Sequence, residues 1–165
     1  MDQFFSSLRG QEGLNILDFA GASQANITFI TELGHRISSE DFVRSMELAF
    51  GSGPDFYENQ SDPERAERFL NESLNFPPEH FDGVMIWDAL QFLHPSLLQP
   101  TVDKLFEILR PNSLMLAFFI ADVWSDQLHC RNSSHRPVGS EARVLRFRFG
   151  NQNNAVSKDS CSRRL

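Results

Sequence analysis

No apolar run in this sequence is long enough to cross a bilayer: the longest, Leu114–Ala121, falls far short of the roughly 20 residues a spanning helix needs. Cysteine is scarce. Cys130 and Cys161 both lie in the polar C-terminal part, too few for a disulfide framework and without metal-ligand spacing. That usage predicts a reducing, cytoplasmic setting, and the lack of an apolar stretch after Met1-Asp2 argues against a secretory leader. There is no G-x-S-x-G elbow, Walker loop, H-E-x-x-H or C-x-x-C, which removes the hydrolase, nucleotide-triphosphatase, zinc-protease and dithiol chemistries those motifs carry. Tyrosine occurs once against 16 phenylalanines, so the aromatics are expected in a core rather than on a stacking platform for single-stranded nucleic acid.

What is present describes a globular chain. With 165 residues, 41% hydrophobic and 22% charged, the sequence is sized for one domain and too apolar to be disordered throughout. Charge is unevenly spread: residues 1–130 hold 7 Lys and Arg against 20 Asp and Glu, whereas residues 131–165 hold 8 against 2. An acidic body disfavours a nucleic-acid surface, which needs clustered cations. A basic tail docking on its own acidic domain is the preferred reading of the asymmetry.

Strand-like and helix-like segments alternate, which points to an α/β sheet. Asp2–Arg9 reads as a short helix broken by Gly10 and Gly13, and Leu14–Phe19 as a strand. From Ala25, the residues Ile27, Ile30 and Leu33 follow helical spacing up to Gly34, with Ser23 or Asn26 as the cap. His35–Glu40 is a weak strand resting on Ile37, and Phe42–Phe50 a helix ended by Gly51-Ser52-Gly53-Pro54. Ser61-Asp62-Pro63-Glu64 is a helix start, and a further strand is expected near Arg68–Asn71. Gly83–Trp87 and Leu114–Ala121 are continuous apolar strands of the kind buried on both faces of a parallel sheet. Between them Leu97–Leu109 is helical in pattern, Pro100 suggesting a break or a late start, and Arg110-Pro111-Asn112-Ser113 is a turn. Arg143–Phe149 alternates like an edge strand, and Asn151–Leu165 reads as a polar, disordered tail after a domain over residues 1–150. The expected fold is a doubly wound, mostly parallel sheet.

In such a sheet ligands bind beyond the carboxyl ends of the strands, where strand order reverses. The turn after the first strand, Leu17-Asp18-Phe19-Ala20-Gly21-Ala22-Ser23-Gln24-Ala25-Asn26, is built from small residues and leads into a helix N-terminus. Taken with Glu40-Asp41, with Phe81-Asp82-Gly83-Val84-Met85-Ile86-Trp87-Asp88 and with Leu109-Arg110-Pro111-Asn112-Ser113, it resembles the class I S-adenosylmethionine-dependent methyltransferases. These four landmarks look like that family's (D/E)-x-G-x-G-x-G turn, the acid ending its second strand, its F-D-x-V strand and its L-R-P-G-G turn. They fall in the family's order over residues 14–120.

The resemblance implies a Rossmann-like fold, here short of part of the family's C-terminal antiparallel strand pair. It also implies binding of S-adenosylmethionine and methyl transfer to an unidentified small-molecule or protein acceptor. By that resemblance Asp18 would hold the cofactor's amino group, the Ala20-Gly21-Ala22 backbone would lie against it, and Asp41 or Glu40 would accept from the ribose hydroxyls. Trp87 and Asp88 would flank the cofactor or face the acceptor. Each position also has a plainer reading: Asp18 as an acid ordering its own turn, Asp41 as a helix cap, Trp87 as a core aromatic. The sequence departs from the family where Ala20, Ala22 and Gln24 replace the three glycines, and where only Asn71 or Glu72 is near the acid expected after the third strand. Asp88, His94 and His129 are the candidate bases, and no catalytic residue is assigned. These departures keep open a second expectation: a degenerate, non-catalytic domain acting as a structural or interaction module. An incomplete sheet would leave the last parallel strand unpaired, which predicts a homodimer or an aggregation-prone monomer.

Overall fold

The computed structural model describes residues 2–120 and 140–146 of the chain. Helix α1 (Asp2–Leu8) leads into strand β1 (Asn15–Asp18), helix α2 (Gln24–Glu32) and strand β2 (Arg36–Ser39). Three helices follow without a strand: α3 (Phe42–Phe50), α4 (Phe56–Asn59) and α5 (Pro63–Ser73). Strand β3 (Phe81–Trp87), a 3-10 turn (Ala89–Phe92), helix α6 (Pro95–Ile108), strand β4 (Leu109–Ile120) and strand β5 (Ser140–Arg146) complete the order. The sheet runs β2-β1-β3-β4-β5. Its first four strands are parallel and β5 is antiparallel to β4. This is a Rossmann-like α/β domain. No helix among the described residues is long and apolar enough to cross a membrane.

The central strands carry unbroken apolar runs where both of their faces are covered. Leu17, Val84, Ile86, Met115 and Ala117 face one core, formed with α3, α5 and α6; there Phe19 stacks on Phe42 at 4.4 Å and Phe69 meets both Phe42 and Phe50 edge-on at 5.2 Å. The alternate residues Ile16, Met85, Leu114 and Leu116 face the other core, closed by Phe4 and Leu8 of α1 and Ile30 of α2. The period-two alternation of a pleated strand therefore feeds two hydrophobic layers at once. Gly83 allows the tightest approach within the sheet: a Cβ there would lie 3.2 Å from Ile16 Cδ1 and 3.4 Å from the Leu114 carbonyl oxygen.

Several expectations are corrected. The strand expected near Arg68–Asn71 is the middle of α5, whose buried residues Phe69, Leu70 and Ser73 form the stripe of an amphipathic helix started by Pro63 and capped by Asp62. Asn71 and Glu72 are exposed on that helix, so the acid sought there has no counterpart. Helix α6 does not start late. It begins at Pro95 and runs through Pro100, which is exposed, so the Ser96 carbonyl left without a partner can be met by water. The stretch Arg110–Ser113 belongs to β4 as a wide irregularity, the register jumping from Phe81↔Leu109 to Gly83↔Leu114 with Asn112 at φ 66°.

The outer edge of β4, expected to be unpaired, is covered: β5 pairs with it from Leu114↔Arg146 to Ile120↔Ser140. The reason for expecting a homodimer there falls away. The edge strand expected at Arg143–Phe149 is β5, placed three residues earlier. Its residues 147–149, the tail Asn151–Leu165, and His129 with Cys130 lie outside the described residues.

Candidate functional site

From β1 the chain winds to β2 on one side through α2, and then returns past β1 to β3 through α3–α5. The reversal of strand order therefore falls between β1 and β3, and their carboxyl ends, Asp18 and Trp87, sit side by side.

Asp18 is fully buried and its carboxylate gathers three donors from its own chain. The Ala20 N–H and the Trp87 Nε1–H donate to Oδ1 at 3.0 and 2.6 Å, and Asn26 Nδ2 donates to Oδ2 at 2.7 Å. A carboxylate removed from water needs such partners, and charge-assisted bonds of this length are the strong kind. Trp87 is held at φ 58°, in the left-handed region that disfavours a residue with a Cβ, where the ladder between β3 and β4 shifts register. Its indole stacks on Phe118 with centroids 5.6 Å apart. Strain of about 1–3 kcal/mol persists only where surroundings over-determine the residue, and here a buried hydrogen bond and a stacked ring do so.

The turn that follows β1 is pinned to the end of β2. The Glu40 N–H donates to the Asp18 carbonyl at 2.8 Å and the Gly21 N–H to the Glu40 carbonyl at 3.2 Å, while Ala20 and Asp41 form an isolated antiparallel bridge. Gly21 stands at φ 74°, and a Cβ at that position would lie 3.3 Å from the Asp41 Cβ. Only glycine meets both conditions without strain. Asp41 is exposed; its Oδ1 accepts the Arg44 N–H at 3.1 Å and so caps α3, while Oδ2 has no hydrogen-bond partner among the described residues. Both plainer readings of these acids are thus realised: Asp18 orders its own turn and Asp41 is a helix cap.

The remaining candidates divide. Ala20 and Ala22 are exposed on the rim of the turn. Gln24 lies along its own helix, donating to Thr28 Oγ1 at 3.1 Å. Asp88 is half-buried at the end of β3 and its side chain makes no hydrogen bond among the described residues. Glu40 points away from Gly21, accepting the Ser45 hydroxyl at 2.9 Å beside Arg65 and Arg68 in a groove between α3 and α5. His94 is engaged elsewhere: its Nδ1 accepts the Ser96 N–H at 3.2 Å as the cap of α6, and its ring packs on Tyr57 at 4.8 Å. No group of three or more His, Cys, Asp or Glu suited to a metal ion occurs among the described residues.

The contribution of Asn26 went beyond sequence reasoning, which offered it only as a helix cap. The capping position is Ser23, without a side-chain bond, and Asn26 instead reaches back to Asp18. Likewise Asp82 and Arg110 of the F-D and L-R motifs stand at the opposite, amino end of the sheet. There Arg110 Nη1 donates to both Asp82 oxygens at 2.8 and 3.0 Å, and Asp82 Oδ2 accepts the Asn15 N–H at 2.9 Å, tying together the first turns of β1, β3 and β4. These residues are architectural.

Beside the switch point a cleft of about 470 Å³ opens between α1, α2 and the end of β3, floored by Ile30 and Met85 and walled by Phe5, Phe29 and Trp87. The class defined by this architecture is the Rossmann-like α/β domain with its crevice at the β1–β3 switch point. No family model matches the sequence. No curated protein matches it either. Among solved structures, the crystal structure of the [4+2]-cyclase SpnF aligns with 70% of this chain and 42% of its own, at 15% identity and a TM-score of 0.42.

Proposed function

We propose that this chain, as a domain over residues 1–150, binds S-adenosylmethionine at the carboxyl edge of β1–β3 and belongs to a methyl-transfer enzyme. The observation that carries this reading is Asp41: an exposed acid after β2, fixed beside Gly21 by the missing Cβ, with Oδ2 unengaged among the described residues. A ribose diol needs such a fixed carboxylate oxygen at the end of the second strand, by the same chemistry through which an acid reads ribose in dinucleotide folds. The Ala20-Gly21-Ala22 backbone, exposed at Ala20 and Ala22, would lie against the nucleoside, with Trp87 and Asp88 at the β3 side of it. The cofactor supplies an electrophilic methyl group, and the chain's task is to bind it and keep donor and acceptor aligned.

The test is isothermal titration of S-adenosylmethionine and S-adenosylhomocysteine into the wild type and Asp41→Ser. Serine keeps the helix cap but is too short and uncharged to serve as the ribose acceptor. Binding that weakens about tenfold or more in the variant supports the reading, a charged hydrogen bond contributing about that much. No heat and no thermal shift with folded wild-type protein would overturn it.

A second reading is favoured by Asp18: among the described residues its carboxylate bonds only to Ala20, Asn26 and Trp87, as in a domain kept for structure or interaction rather than catalysis. The absence of cofactor binding in the same titration would select it.

A further inference from the structure

We infer that the cleft between α1 and α2 is a binding site for a small aromatic carboxylate, with Arg9 as the anchor of its charged group. At about 470 Å³ the cleft is within the range of about 300–1,000 Å³ typical of small-molecule sites. Its walls are flat and apolar: Phe5 and Phe29 meet edge-to-face at 5.1 Å, and the Trp87 indole is backed by Phe118 and locked by its bond to Asp18. Ile30 and Met85 form a buried apolar floor. Such a surface favours a planar ring system, which loses little conformational freedom on binding.

Charge completes the argument. Among the described residues no acidic side chain lines the cleft, in a part of the chain where Asp and Glu outnumber Lys and Arg 20 to 7. Arg44, Arg65, Lys104 and Arg110 each pair with a carboxylate, whereas Arg9, Arg36 and Arg68 have no ion pair among the described residues, and of these three Arg9 is the one that lines this cleft. A planar five-donor fork matches a carboxylate in two-point geometry; Arg9 is exposed, so water screens the pair and it sets the orientation and charge preference of a ligand held mainly by the apolar walls. A cationic ligand would meet Arg9 with repulsion and find no counter-charge. Occupation of this cleft does not require a nucleoside at the Gly21–Asp41 turn, so the two sites succeed or fail separately.

The probe is 2-naphthoate, with neutral 2-naphthamide of the same shape as its control, titrated calorimetrically into the full chain. Saturable one-to-one binding of the acid is expected, with the amide about two- to fivefold weaker, the scale of an exposed ion pair. Arg9→Gln should erase the preference for the acid, Ser6→Trp should fill the cleft and abolish binding of both probes, and Asp41→Ser should leave both unchanged. Circular dichroism establishes that each variant is folded; should Ser6→Trp not fold, Arg9→Gln decides alone. No saturable heat, equal affinity for acid and amide, an unchanged Arg9→Gln profile, or loss of naphthoate binding in Asp41→Ser would each overturn the inference.

Discussion

Replacing Asp18 by alanine removes the shared acceptor of three donors: Ala20 N–H, Asn26 Nδ2 and Trp87 Nε1–H. Each hydrogen bond to a charged group contributes about 1.5–3 kcal/mol, but the half-buried Asn26 and Trp87 can recover some of this from water, which brings the expected loss to about 3–5 kcal/mol. Domains of this size unfold with about 5–15 kcal/mol, so the variant should be markedly destabilised. With a urea slope of about 2 kcal/mol per molar, its midpoint should fall by about 1.5–2.5 M. Asp18→Asn is a finer probe. Its oxygen can keep the Ala20 and Trp87 donors, but its new NH₂ then faces the Asn26 NH₂ until Asn26 turns its amide over. That rotation restores the bond without the charge, for an expected loss of about 1–2 kcal/mol. Adding Asn26→Asp to Asp18→Asn supplies a carboxylate to the new amide and should recover stability, whereas Asn26→Asp alone sets two carboxylates against each other and should be worse than Asp18→Asn. Urea unfolding followed by circular dichroism and tryptophan fluorescence measures all four variants. Equal losses in Asp18→Ala and Asp18→Asn, or an Asn26→Asp effect independent of position 18, would refute the hydrogen-bond account.

Gly83→Ala should cost about 1–3 kcal/mol as an overpacking change, because the new methyl lies 3.2 Å from Ile16 Cδ1 and 3.4 Å from a backbone oxygen. Shortening the neighbour with Ile16→Val removes Cδ1, the atom at 3.2 Å, and should rescue part of the loss, leaving the contact with the Leu114 carbonyl; thermal unfolding checks both. Gln60→Ala should cost about 2–3 kcal/mol in chemical denaturation. Its buried amide accepts the His94 N–H at 2.8 Å and donates to the Phe92 carbonyl at 3.1 Å, holding the segment between β3 and α6.

The strands were readable wherever burial on both faces left an apolar run, as in Gly83–Trp87 and Leu114–Ala121, and helix α3 wherever one face alone was apolar. What misled was Phe69-Leu70. Two adjacent large apolar residues suit a strand or the centre of a helical stripe equally well, and only the packing of Phe69 between Phe42 and Phe50 separates the two. Pro100 misled for a similar reason, because its cost depends on which side of the helix faces water. The plainer readings of Asp18 as a turn acid and Asp41 as a helix cap were legible because the Ala20 and Arg44 amides they accept from are near neighbours in sequence. The contributions of Asn26 and Arg9 were not, since each is defined by neighbours distant in sequence: Asn26 by Trp87 across Asp18, and Arg9 by a cleft that exists only once α2 lies beside β3.

The bond from Trp87 to Asp18 joins residues 69 apart, and with the β1–β3 ladder it fastens β1-α2-β2 to the strands that follow. The first unit is held together by near neighbours, while its union with β3 must await closure of a chain segment carrying three helices. The switch point is therefore the seam along which this domain would part when it opens. A ligand seated across it grips both sides. In hydrogen exchange its protection would extend along the paired amides of β1 and β3, rather than stop at the residues it touches.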